Sequence, residues 1–185
     1  YNAAGYLLRQ VDRLGRVRQF QYDNLGRNTA EIWYNSLQDA DADTNRQRTL
    51  SFTYDAAGQM LSASDPDAEY AFVYDNLGRV IQITHSLAAL TPPVTFTQQY
   101  DAAGRRTQLA ARINSTDDFV NDYLYDPLGR LVRITQGPQP GGQAVAEKRV
   151  DFSYDAAGQL TALARYADLA GTQLVAQSDY TYDQA

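Results

Sequence analysis

The sequence predicts an all-β protein laid out as one antiparallel meander of β-hairpins. Three observations predict it. The motif Tyr-Asp-x-x-Gly returns along the whole of the 185 residues, an aromatic residue precedes its tyrosine by two places in almost every copy, and turn-forming clusters fall midway between copies. A short fixed motif with variable filler is the mark of a repeat architecture.

The motif tyrosines are Tyr1 (with Asn2 in the aspartate place), Tyr22, Tyr54, Tyr74, Tyr100, Tyr125, Tyr154 and Tyr182. Their intervals are 21, 32, 20, 26, 25, 29 and 28 residues. The motif reads as a turn. Aspartate at the first position accepts backbone N–H bonds from residues just ahead, and glycine supplies the left-handed residue that closes the hairpin with a bulge. Almost any residue suits the two central places, which is why "AA", "NL" and "PL" interchange and why the fixed φ of Pro127 is accepted. The arginine or glutamine after the glycine is expected to face the tyrosine before the turn, with the arginine stem lying over that ring.

The strand before each turn alternates. Two places ahead of the motif tyrosine stand Phe20, Phe52, Phe72, Gln98, Tyr123, Phe152 and Tyr180, aromatic in six of seven copies. A period of two puts both rings on one face, with Gln21, Thr53, Val73, Ser153 and Thr181 on the other. Beyond the turn, the second residue after glycine is usually apolar (Leu7, Val17, Met60, Val80, Leu131, Leu160), with Asn28 and Arg106 as exceptions. The fifth is often apolar too (Ala63, Ile83, Leu109, Ile134, Leu163), at opposite parity, so a bulge or two-sided burial is expected in the return strand.

The far ends fall at "DRLG" (Asp12 to Gly15), around Pro66, at Thr91 to Pro93, at "NSTDD", at Gly137 to Gly142 and at "DLAG" (Asp168 to Gly171). About fourteen strands of roughly 8–12 residues follow from one strand out and one back per interval. Helix is nearly absent, since its best candidate, "LQDADA", lacks an apolar stripe. Residues 1–185 therefore read as a single repeat array with no second domain and nothing left over for a second layer. Twist makes so long a meander curl, and its terminal strands need cover from flanking repeats of the same chain or from identical copies adding at the sheet edges.

Composition narrows the function. Lys and Arg number 16 against 22 Asp and Glu, a net charge of −6, with no basic block, which argues against nucleic acid or anionic lipid as a partner. No apolar run reaches the roughly 20 residues of a membrane span, and no signal peptide is visible. Because the chain opens and closes inside a motif, it reads as an excerpt of a longer one. It has no cysteine, so disulfides and thiolate metal sites are excluded.

The candidate chemistry is sparse. Asp39, Asp41, Asp43 and Asn45 offer oxygens at the first, third, fifth and seventh places of a calcium loop, but Thr44 stands where glycine belongs and Leu50 where a bidentate glutamate belongs. The plain reading is an acidic solvated loop, and no cofactor is implied. The motif aspartates are explained by their turns. His85 is the only histidine, so no triad or histidine metal site has spacing support. Asn114 to Thr116 fits the glycosylation pattern, and no glycine-rich segment opens a helix as a phosphate loop does.

"YDNLGR" at Tyr22 and Tyr74, "YDAAGR" at Tyr100, "YDPLGRL" at Tyr125 and "YDAAGQL" at Tyr154 closely resemble the YD-repeats of Rhs proteins, Tc-toxin cocoon subunits and teneurins. The resemblance covers essentially the whole chain. It implies hairpins spiralling into a hollow β-shell, which in bacterial members encloses a C-terminal toxic domain and in teneurins is part of an adhesion ectodomain. It also implies a secreted or cell-surface location. Bacterial shells carry a strongly patterned self-cleaving segment near their end. It has no counterpart here, so neither protease activity nor a toxin domain is assigned to these residues. The 32-residue interval after Tyr22 departs from tight family spacing and implies a protruding loop.

The expectation is a non-enzymatic structural segment of a β-shell, enclosing a toxin cargo or extending a surface scaffold. Two rivals stand beside it. One is an adhesion or glycan-binding module using Tyr34, Tyr70 or Tyr166, which lie outside the aromatic columns. The other is a fibre subunit that self-associates edge to edge.

Overall fold

The computed structural model describes residues 1–183. Its elements are fourteen strands of antiparallel sheet and one short helix. The chain divides into two compact units, Tyr1–Pro93 and Val94 onward. The first holds β1 (Arg9–Val11), β2 (Val17–Tyr22), β3 (Asn28–Tyr34), α1 (Leu37–Ala42), β4 (Arg48–Tyr54), β5 (Met60–Ser64), β6 (Ala68–Tyr74) and β7 (Val80–Leu87). The second is built of β8 (Leu90–Tyr100), which begins just ahead of the boundary, β9 (Arg106–Ile113), β10 (Thr116–Tyr125), β11 (Leu131–Pro138), β12 (Lys148–Tyr154), β13 (Leu160–Tyr166) and β14 (Leu174–Asp179). Within each unit every strand is antiparallel to the next in the chain, so the meander is as predicted.

The motif makes its turn by the bonds its residue types imply. At Asp23 the Gly26 N–H donates to the Asp23 carbonyl and the Asp23 N–H to the Arg27 carbonyl, both at 3.0 Å. The carboxylate Oδ1 accepts from the N–H groups of Leu25 and Arg27 at 2.9 and 3.0 Å. Asp75, Asp101 and Asp126 repeat the pattern, and Asn2 does the same with its amide oxygen. The far turn at Asp12 has identical bonds without a tyrosine before it, so the turn depends on Asp-x-x-Gly alone.

The bulge lies in the return strand. Tyr54 pairs with Met60 while Thr53 pairs with Ser62, which leaves Leu61 outside the register. Thr29, Ile81, Thr107, Val132 and Thr161 stand in the same position in the other hairpins. This one extra residue resolves the opposite parity of the two apolar positions. The alternation before the turn is also present: Phe52 and Tyr54, Phe72 and Tyr74, Tyr123 and Tyr125, and Phe152 and Tyr154 are half-buried, and the residues between them are exposed.

The expectation of a single bare layer is corrected at one place. The long interval after Tyr22 has residues to spare beyond its two strands, and "LQDADA" folds as α1 against β2 and β3, on the face opposite the aromatic columns. Ser36 Oγ caps it by accepting from the Asp39 N–H at 3.1 Å, and Asp43 in the left-handed region (φ 49°) closes it. A full stripe is unnecessary for so short a helix. Ala40 alone reaches the cluster of Val17, Ile32 and Tyr34, the main buried core of the first unit. Among the described residues no helix is long and apolar enough to cross a membrane.

Candidate functional site

The recurring side chains meet between successive hairpins. In six copies the hydroxyl of the motif tyrosine donates to a backbone carbonyl in the preceding hairpin, that of the second residue after the preceding motif glycine. The Tyr100 hydroxyl donates to Gln98 Oε1 at 3.4 Å. Tyr22 reaches Leu7 at 2.9 Å, Tyr54 reaches Asn28 at 2.8 Å and Tyr74 reaches Met60 at 2.8 Å. In the second unit Tyr125, Tyr154 and Tyr182 reach Arg106, Leu131 and Leu160, each at 2.9 Å.

Where the residue after the glycine is Arg27, Arg105 or Arg130, it completes the junction. Arg27 lies over the ring of Tyr54, Arg105 over Tyr125 and Arg130 over Tyr154, at 4.9, 4.8 and 4.7 Å to the ring centre. Sequence reasoning placed the arginine over the tyrosine of its own hairpin, and this is corrected. The Nε of Arg27, Arg105 and Arg130 is tied to its own aspartate Oδ2 at 2.7 Å, which turns the guanidinium face toward the following repeat. Arg27 and Arg130 reach further, to the carbonyls of Asp55 and Asp155. In the first copy Tyr6 takes the arginine's place and stacks on Tyr22 at 5.0 Å. A half-exposed cation–π contact and one net hydrogen bond together give each of these three arginine junctions about 1–2 kcal/mol. Repetition makes the array a sum of such nearest-neighbour terms.

The same geometry sets the charge state of the turns. Backbone N–H groups of Arg79 and Arg105, reinforced by the guanidinium groups, hold Asp75 and Asp101 below the usual carboxylate range. At Asp23 and Asp126 desolvation is the largest single influence and pushes upward, but the bonds from Arg27 and Arg130 together outweigh it. Asp43, held first by Arg46 and then by Tyr34, falls from 3.8 to about 2. A depressed folded-state value means stability that is complete above the unfolded value and lost as the pH falls through the folded one. The β-sheet circular-dichroism signal is therefore expected to hold down to about pH 4 and to decline between pH 4 and 2. A signal unchanged at pH 2 would show that the turn carboxylates do not support the hairpins.

Of the four calcium-loop candidates, Asp39 and Asn45 are bonded to each other, and Asp41 and Asp43 are paired with arginines. Asp39 accepts from Ser36 Oγ at 2.6 Å and Asn45 Nδ2 at 2.7 Å, Asp41 pairs with Arg9 at 2.7 Å, and Asp43 accepts from the Tyr34 hydroxyl at 2.5 Å and pairs with Arg46. Among the described residues no three His, Cys, Asp or Glu side chains are grouped to hold a metal ion. His85 stacks on Tyr70 across the β6–β7 pair, with ring centres 4.2 Å apart. Tyr34 is 1% exposed and Tyr166 lies under Arg149, so of the three tyrosines proposed for ligands only Tyr70 is well exposed. Asn114 sits at φ 56° in the exposed β9–β10 turn. Missed in the sequence was the link between two of its three exceptions, Gln98 and Arg106: Arg106 donates to Gln98 Oε1 at 3.2 Å and lies over Tyr123, so the polar pair replaces an aromatic–apolar one. Two exceptions in one hairpin were the available signal.

Hairpins joined turn to turn through tyrosine and arginine define a structural repeat array. A family model described as RHS Repeat matches residues 1–32 and 54–89. The chain is a fragment of an RHS, or YD, repeat protein. It is 30% identical over 166 residues to the double-stranded DNA deaminase toxin A of Burkholderia cenocepacia (strain H111), covering 87% of this chain and 11% of that protein. It is also 30% identical over 160 residues to the probable deoxyribonuclease RhsA of Dickeya dadantii (strain 3937), covering 84% and 10%. The chain thus spans about a tenth of the length of these relatives. The crystal structure of TcdB2–TccC3 without its hypervariable C-terminal region superposes with a TM-score of 0.74 at 22% identity, over 96% of this chain and 9% of that one, a likeness of fold.

Proposed function

We propose that residues 1–185 form one continuous stretch of wall in a large repeat-built shell, secreted or displayed at a cell surface, which encloses a polypeptide cargo and performs no chemistry itself. The observation that carries this reading is the use of the motif residues. Tyrosine, aspartate and arginine are engaged in closing turns and joining neighbouring hairpins, and the acidic loop is engaged in capping a helix. The deaminase and deoxyribonuclease activities in the relatives' names then belong to parts of those proteins outside the matched tenth. Partners in this reading are the flanking repeats and the enclosed chain.

Limited proteolysis of the full-length protein tests it. First cuts are expected in the strand-free stretch at 143–147, with the Tyr-Asp turns spared and any enclosed domain protected until the shell is unfolded. Early cleavage within the Tyr-Asp turns of the native protein would overturn the wall reading. Digestion of the cargo domain while the wall is intact would overturn enclosure and leave a surface scaffold.

A further inference from the structure

At the ends of β2 and β3 remote from the Tyr-Asp turns, a cavity of about 330 Å³ opens beside Trp33. That volume lies within the range of small-molecule sites, roughly 300–1,000 Å³. Trp33 is the single tryptophan of the sequence and is 39% exposed. Its indole N–H donates to Glu31 Oε1 at 2.7 Å, which fixes the ring and leaves its apolar surface in the cavity wall. A large aromatic held open to solvent in this way is a ready contact for the C–H face of a ligand.

The polar groups around it keep bonding capacity on both sides of the ledger of donors and acceptors. The Asn35 side chain lines the cavity and has no partner among the described residues. Gln47 donates its Nε2 to the Asn45 carbonyl and keeps Oε1, whereas Gln10 accepts from Arg18 through Oε1 and keeps its amide N–H groups. Amides offering donors and acceptors beside an aromatic plane suit a ring whose hydroxyls both give and accept hydrogen bonds. Charge decides between a neutral and an anionic ligand. Both cavity arginines are already compensated, Arg16 by Asp12 at 2.7 Å and Arg18 by Glu31 at 3.3 Å. An anion would find no cation to itself.

We propose that this cavity is a binding site for a neutral pyranose, the terminal residue of a glycan. It moves sugar recognition from the tyrosines that the sequence offered to a tryptophan-centred pocket. Sugar binding at Trp33 is independent of the wall function.

Saturation-transfer NMR on the full-length protein tests the site, using the methyl glycosides of glucose, galactose, mannose and N-acetylglucosamine, with methyl glucuronide as the anionic comparison. Transfer to at least one neutral glycoside is expected. Binding should weaken at least about tenfold in Asn35→Ala and in Trp33→Leu, the equivalent of losing one or two good contacts. Asn35 is exposed, so its truncation should leave the far-ultraviolet spectrum unchanged and keep the test open even if Trp33→Leu disturbs the sheet. Transfer to none of the neutral glycosides, transfer to the glucuronide alone, or transfer undiminished in the Asn35→Ala protein would each overturn the proposal. Each of these failures would leave the proteolytic pattern of the wall unaffected.

Discussion

Replacing Tyr34 by alanine is expected to release α1 from the sheet at a cost of about 3–5 kcal/mol of local stability, the range for deleting a buried aromatic ring. Tyr34 is 1% exposed and packs with Val17, Ile32 and Ala40. Its hydroxyl also donates to Asp43, the residue that ends the helix. Burial, and then the Asp43 carboxylate, push the phenol upward, so it stays a donor through the neutral range. A six-residue helix has no stability of its own and persists only while its one apolar contact and its caps hold it. Tyr34→Phe keeps the ring, and Asp43 retains Arg46, so that change should cost only about 1 kcal/mol. Hydrogen exchange reads both. In Tyr34→Ala the amides of α1 and the end of β3 should lose protection while those of β5 to β7 keep theirs, because an array of nearest-neighbour units opens locally. Protection of α1 unchanged in the alanine protein would mean that the helix is held by something other than Tyr34.

What the sequence made legible was local. Asp23, Gly26 and their equivalents announce the turn, because every bond of that turn closes within five residues. Strand parity was equally readable from Phe52 and Tyr54, and the conflict of parity between the second and fifth residues after the glycine left a bulge or two-sided burial, which the extra residue at Leu61 resolves as a bulge. The junctions were less accessible. Arg27 and Tyr54 are separated by a variable stretch, and nothing within one repeat distinguishes a contact with its own tyrosine from a contact with the next. The decisive bond, Arg27 Nε to Asp23 Oδ2, fixes a direction in space that no spacing encodes. For α1 the cap was readable at Ser36, but a helix with only Ala40 to bury has no periodic signal. The cavity at Trp33 was invisible for a different reason. Its walls come from residues 10–18, 33–35 and 47, which only the pairing of β1 to β3 and the loop before β4 brings together.

Two glycines of the same motif, Gly58 and Gly26, differ in what a side chain would meet at the junction. Gly58 has φ +86° and open space where a Cβ would go, whereas Gly26 has φ +77° and would drive that Cβ into the Tyr6 hydroxyl oxygen. Gly58→Ala should therefore cost only the left-handed strain of a side-chain-bearing residue, about 1–2 kcal/mol. Gly26→Ala carries the same strain and must also displace Tyr6, whose ring stacks on Tyr22 at 5.0 Å in the place that arginine fills elsewhere. Losing that stack adds about 0.5–1.5 kcal/mol, which brings the total to about 1.5–3.5 kcal/mol. The extra loss should also have an address. In Gly26→Ala, exchange should quicken in β2 and at Leu7, the residue whose carbonyl accepts the Tyr22 hydroxyl, whereas in Gly58→Ala it should quicken only around its own turn. Equal costs for the two substitutions, with no effect reaching Leu7, would mean that the residue after the glycine contributes nothing to joining one hairpin to the next.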